Sequence, residues 1–268
     1  MSMQILSFAK NPLHRIQFLN AAKRGGVESQ ILSIVQVKVT SLPSGLEAIL
    51  ITGDLQGIVQ VWQAGTTRLL GEELAYEYAN LAKKDLTPHP ENTGVILAGD
   101  LFSAPDGAKR GASGDVRIVW ETFARTYRWV AGVQGNHDRF GTEVQETQLK
   151  NLPNVNLFDF DFARLDTLTI GGVSGVIGDP KKPGRKAEED FLASLVLVLE
   201  SSPDILVLHH GPAGNMGQKG SSEIREVIER NPPSLTVCGH VHWNEPLAIL
   251  GKKSQVLNVD SRAFILTT

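Results

Sequence analysis

Two stretches decide how this sequence reads: ILITGDL at Ile49–Leu55 and VILAGDL at Val95–Leu101. Each is an apolar run of strand length with no polar alternation, and each stops at Gly-Asp. A true repeat would copy its surroundings, yet QGIVQVW follows the first and FSAPDGA follows the second. The pattern therefore favours two buried strands that deliver two carboxylates to one place.

Outward from these strands the chain reads as βαβ units. Residues 31–52 suggest a β-hairpin around Pro43-Ser44-Gly45, whose second arm is fully buried. Apolar residues at helical spacing predict a helix over residues 66–86, stopped by Pro88 and Pro90. A strand at Val95–Leu97, a Gly-rich loop at Ser103–Gly114, a helix at Val116–Tyr127 and a strand at Trp129–Val133 follow. Residues Asn156–Gly178 carry short alternating segments expected to form an antiparallel meander. Helix Glu188–Glu200 then leads to strand Asp204–Leu208, and helix Ser221–Arg230 to strand Ser234–Val237. Strands at Leu247–Leu250, Gln255–Val259 and Phe264–Leu266 close the chain. This is an α/β pattern with no polar linker, so residues 1–268 are expected to form one domain. Residues 1–30 are expected to be an N-terminal extension, helical or loop.

Composition narrows the function. With 268 residues and 41% hydrophobic content, the chain can bury one large core. A net charge of −3 gives no basic field to steer nucleic acid or an anionic membrane, so neither is an expected partner. Cys238 is the single cysteine, which excludes a disulfide framework and a cysteine-rich zinc site. Lys10, His14 and Arg15 interrupt the first apolar residues, and no run reaches membrane-spanning length. A cytoplasmic protein is the expectation.

Polar residues fall at strand ends. Five expected strands finish in Asp54 with Gln56, Asp100, Asn136-His137-Asp138, His209-His210, and His240 with His242. Ligands of α/β sheets bind beyond the carboxyl ends of strands, so these groups point to one edge. A lone Asp after a strand is more often a helix cap or turn residue, whereas a lone His pair reads about as well as core or surface histidines as it does as ligands. The coincidence outweighs those readings, because five of the seven histidines sit after strands, leaving His14 and His89 as solvated. Carboxylate, amide and imidazole together suit divalent ions, and the supply is enough for two.

In order, GDLQG, GDLFS, GNHD, HHGP and GHVH resemble the motifs of the calcineurin-like metallophosphoesterase superfamily. The resemblance implies an αββα sandwich, two mixed β-sheets flanked by helices, that hydrolyses a small phosphorylated substrate with two divalent metal ions. It implies one ion at Asp54, Gln56 and His242, the other at Asn136, His210 and His240, and Asp100 bridging. His210 is chosen over His209 because family members reading Thr-His-Gly-Pro place the ligand directly before the glycine. Gln56 stands where most members have histidine, as in branches similar to manganese-dependent pyrophosphatases. That makes Mn²⁺ the expected metal ahead of Fe, Zn²⁺ or Mg²⁺, and a phosphodiester or nucleotide the expected substrate ahead of a phosphomonoester. Ser103 stands where the family has a supporting aspartate. His137 is expected to stabilise the transition state or protonate the leaving oxygen, Asp138 to orient it, and Arg139, Lys109 and Arg110 to meet substrate phosphates. A protein phosphatase is the lesser reading, since GDLFS lacks that group's Asp-Arg pair; a scaffold without activity is a further one, but scaffolds of this type lose ligands.

Overall fold

A computed structural model describes residues 3–61, 65–251 and 254–268. Two sheets face each other. Among the described residues the larger has ten strands, in the order Val155–Phe158, Trp129–Val133, Thr93–Leu97, Ala48–Gly53, Arg262–Thr267, Val27–Val39, His14–Ala21, Ile58–Val61 and Thr66–Leu69, with Ile5–Phe8 beside 27–39. Its first four strands are parallel. The smaller sheet orders Asp161–Leu165, Leu168–Val173, Ile205–His210, Leu235–Gly239, Ser254–Asn258 and Leu247–Leu250, and its four central strands are parallel.

Alternation across each strand builds three layers of packing. Ile49 and Ile51 meet Ile170, Val207 and Val237 between the sheets, while Leu50 packs outward with Leu74, Tyr78 and Trp120 of helices Leu70–Ala82 and Arg117–Ala124. On the far side, Leu206 and Leu208 pack with Phe191 and Leu195 of helix Glu188–Glu200 and with Ile224 and Ile228 of helix Ser222–Arg230. A strand covered on both faces loses its polar alternation, which is why 48–53 reads as a continuous apolar run. Each fully buried Ile or Leu contributes about 1.5–3 kcal/mol. The result is the αββα sandwich, with helices outside two mixed sheets.

Several local expectations change. Residues 31–52 do not form a hairpin: strand 262–267 lies between 27–39 and 48–53, parallel to the first and antiparallel to the second. Ala263, Phe264, Ile265 and Leu266 are all buried, so this strand needs cover on both faces and a place inside the sheet. Thr66–Leu69 is a strand paired with 58–61, and the helix starts at Leu70, where Glu72 accepts the Leu69 N–H at 3.2 Å. Helix Glu143–Lys150, capped by Thr142, was not anticipated.

The N-terminal region is the largest correction. Residues 5–8, 14–21 and 27–30 are strand rather than helix or loop. Ile16 and Phe18 are buried between exposed Arg15 and Gln17, a two-residue alternation that pairs 14–21 with 27–39. His14 is not simply solvated, since its Nε2 lies 3.0 Å from Glu77 Oε2. No helix among the described residues is long and apolar enough to cross a membrane.

Candidate metal centre

The parallel strands of both sheets end at one edge, and the strand-end residues meet there. Strand 48–53 delivers Asp54, 93–97 delivers Asp100, 129–133 leads to Asn136, 205–210 carries both histidines, and 235–239 delivers His240. Asp54, Asp100 and His240 have φ of 51, 55 and 66 degrees, a region that costs a non-glycine residue about 1–3 kcal/mol. Such strain persists where surrounding structure imposes it, and it falls here on three of the strand-end residues. Gly99, at φ 87, lets the chain bend before Asp100, and Gly135 leaves no room for a Cβ beside Asp100 Oδ1.

Asp100 is the hub. It is buried, its Oδ1 accepts the His137 N–H at 2.8 Å, and its Oδ2 lies 3.3 Å from His209 Nε2 and 3.4 Å from Gln56 Nε2. Asp54 Oδ2 accepts the His240 N–H at 2.9 Å, which ties the first and last motifs together. Asp100, His209 and His240 bring one ligand atom each within 4.8 Å of one another.

The choice of His210 over His209 is not what this geometry favours. His209 is fully buried and its Nδ1 donates to the Ala98 carbonyl at 2.7 Å. A carbonyl only accepts, so Nδ1 carries a proton and Nε2 is the ring atom left facing Asp100. That Nε2 and the buried Asn136 Oδ1 lack a hydrogen-bond partner among the described residues. Buried polar atoms left without a partner are costly, and a ring nitrogen and an amide oxygen beside a carboxylate are a donor set suited to a divalent cation, so these residues fit a metal ion. His210 faces the other way along the strand: its Nδ1 accepts the Ile177 N–H at 3.2 Å, and its ring stands against Phe191 and His240.

Electrostatics agree. Burial opposes charge on His209, yet the carboxylates of Asp100 and Asp54 outweigh it and raise its pKa to about 10. Burial raises the Asp54 carboxyl well above its usual range, assisted by Asp260 and Asp100 against the pull of His209. Burial acts the same way on Asp100, but His209 and the His137 amide win and hold it at about 2. The pocket thus attracts positive charge.

Other expected residues take different places. Asp138 does not orient His137: its carboxylate accepts N–H from Asp100 at 2.8 Å, Leu101 at 2.7 Å and Gly135 at 2.9 Å, bracing two motifs together. The group 3.1 Å from His137 Nδ1 is Ser113 Oγ, from the 103–114 loop. Arg139 Nη1 donates to the carbonyls of Asn136 and Asp138, which commits part of its guanidinium to the motif's own backbone. Ser103 is buried, whereas Lys109 and Arg110 are exposed on the same loop. His242 is exposed, with Nδ1 2.6 Å from Asp260 Oδ2 and Nε2 3.5 Å from Arg262 Nη2, outside the Asp100 cluster. Sequence reasoning misses Asp260 although it shows the same signal, an apolar strand, VLNV, ending in an acid. Nothing local marks Ser113.

Comparison with known proteins supports the same assignment. A family model described as calcineurin-like phosphoesterase matches residues 48–244. No curated protein matches the chain significantly. Among solved structures, the protein TT1561 of Thermus thermophilus is similar over 80% of this chain and 91% of its own, at 18% identity and a TM-score of 0.56, which shows a shared fold. The phosphopantetheinyl hydrolase of Mycobacterium tuberculosis aligns over 80% of this chain and 89% of its own, at 14% identity and a TM-score of 0.46. An archaeal phosphodiesterase aligns over 79% and 82%, at 14% identity and 0.36. With the motifs in order, their residues gathered at one sheet edge and most of the chain matched, this protein belongs to the calcineurin-like phosphoesterase family, the metal-dependent hydrolases of phosphoester bonds.

Proposed function

We propose that the chain hydrolyses phosphodiester or nucleotide substrates with two divalent ions, manganese preferred, in the reducing cytoplasm where its buried, free Cys238 stays a thiol. The observation that carries the reading is the pair of buried, unpartnered atoms, His209 Nε2 and Asn136 Oδ1, beside the Asp100 carboxylate. One ion would be held by Asp54, Gln56 and His242, the other by Asn136, His209 and His240, with Asp100 shared. Bound ions supply an activated water and neutralise charge on the phosphoryl oxygens.

The protein's own groups do the rest. His137 holds Asp100 in place through its backbone N–H and carries its ring beside Ser113. When the Ser113 hydroxyl donates to Nδ1, the ring proton sits on Nε2, ready for the leaving oxygen. Gln56 offers a neutral oxygen donor in place of imidazole, which favours Mn²⁺ activation over Zn²⁺. The test is metal-stripped protein titrated with Mn²⁺, Zn²⁺, Mg²⁺ and Fe²⁺, assayed on bis(p-nitrophenyl) phosphate and p-nitrophenyl phosphate. Two ions per chain, faster turnover of the diester and best activation by Mn²⁺ are expected. Absence of turnover of either ester with every ion overturns the proposal, and faster turnover of the monoester reverses its substrate class.

A further inference from the structure

Beside the metal centre lies a small basic cleft that the family match covers only in part, because one wall comes from residues before 48. The hairpin of strands 14–21 and 27–39 turns at Ala22–Gly26, where Gly25 and Gly26 have φ of 90 and 79 degrees. Three segments converge on it. The hairpin presses on the Gln56-Gly57 turn so closely that a Cβ on Gly57 would lie 2.2 Å from the Phe18 ring. On the other side, a Cβ on Gly107 of the 103–114 loop would lie 3.3 Å from Ile58 and 3.7 Å from the Leu19 carbonyl oxygen.

The cleft between these segments is about 160 Å³ and is lined by Lys23, Glu28, Gln30, Gln56, Lys109 and Arg110, among others. Three cations face one acid, and Glu28 Oε1 already accepts from Gln30 Nε2 at 2.7 Å. No ion pair among the described residues engages Lys23, Lys109 or Arg110. The position is as informative as the charge. Gln56 sits 3.4 Å from Asp100 at one end, and Gly111 would place a Cβ 3.4 Å from the His137 ring at the other. A group bound here would lie next to a phosphoester held over Asp100.

We propose that this cleft is a second anion subsite, so that the preferred substrate carries another phosphate beyond the one attacked. The inference rests on the phosphoesterase reading above and names its substrate class. Size decides between a phosphate and a larger group: pockets for drug-sized ligands run about 300–1,000 Å³, and this one is well below that. Unpaired ammonium and guanidinium groups supply charge-assisted hydrogen bonds to phosphate oxygens.

The test uses a matched pair, the 5′-(p-nitrophenyl phosphate) of thymidine with and without a 3′-phosphate. The scissile bond and leaving group are identical, so the ratio of kcat/KM reads the second phosphate alone. Wild type prefers the 3′-phosphorylated ester, and Lys23→Gln, on an exposed hairpin tip, lowers that preference about tenfold, the effect of one lost ionic contact. Arg110→Gln has a similar effect. Calorimetric affinities for thymidine 3′,5′-bisphosphate and thymidine 5′-phosphate should show the same change in ratio. A protein that hydrolyses neither ester overturns the phosphoesterase reading, while the affinity ratio still decides the subsite. An unchanged ratio in both variants, or no preference in wild type, overturns the subsite.

Discussion

Gly135→Ala is a one-methyl change that tests whether Asp100 sits at the reacting centre. Gly135 is absent from the left-handed region, so alanine meets no backbone penalty there and the effect is purely steric. The added Cβ would lie 2.1 Å from Asp100 Oδ1 and 2.3 Å from Asp100 N. Ordinary contact begins at 3.4 Å, so the two segments must part by about 1.3 Å. Rotating the Asp100 side chain cannot relieve this, because its backbone N is also too close and is tied to Asp138 Oδ2 at 2.8 Å. Overpacking costs about 1–3 kcal/mol, a fall in melting temperature of about 2–12 °C for a chain of this size. Misplacing a reacting group by about 1 Å costs about 10²-fold in rate. The assay is turnover of bis(p-nitrophenyl) phosphate at 20 °C with saturating Mn²⁺, with bound metal and melting temperature measured on the same samples. A folded variant with about a hundredfold lower kcat is expected. If it retains its metal and turns over within threefold of wild type, Asp100 does not hold the reacting centre and the reasoning fails.

Three further changes probe the same edge and its support. His209→Ala should abolish tight metal binding while His210→Ala should mostly spare it, as read by metal analysis after dialysis; the reverse would restore His210 as the ligand. Asp138→Asn leaves one amide oxygen for three backbone donors and should lose about 1–3 kcal/mol in urea unfolding, together with metal affinity. Wild-type stability with slowed turnover would return Asp138 to orienting His137. Asp166 concerns stability alone: burial disfavours its charge, but hydrogen bonds from Arg128 and Trp129 hold its carboxyl below the usual range. A depressed folded pKa adds stability above the unfolded value near about 4 and loses it as pH falls through the folded value. Asp166→Asn suits φ of 53 degrees and should cost about 1–2 kcal/mol at pH 7, with the difference vanishing in acid; a difference that persists at low pH refutes the charge argument.

Much of the site is legible because its signals are local. An apolar run that stops at Gly-Asp or Gly-His marks a buried strand and its polar end from neighbours in the chain alone, and helix Glu188–Glu200 matches its sequence reading at both ends. The N-terminal strands are also legible in the alternation of Ile16 and Phe18, whose partner 27–39 follows directly; reading 31–52 as a hairpin of its own hides that pairing. Asp260 repeats the strand-end signal yet stands outside the ordered motifs. What contacts Asp138, Ser113 and Lys23 depends on segments far along the chain, and strand 262–267 enters between two others only because both of its faces are apolar.

The adjacent histidines show the limit most sharply. Side chains alternate along strand 205–210, so His209 shares a face with Ile205 and Val207, and His210 with Leu206 and Leu208. In a half-exposed strand the apolar face would tell inside from outside. Here one face packs against the larger sheet and the other against helices 188–200 and 222–230, so both read as apolar. Sequence alone specifies that a histidine is delivered at this strand's end. The stacking of the second sheet on the first puts His209 rather than His210 beside Asp100, because the face between the sheets looks toward that carboxylate.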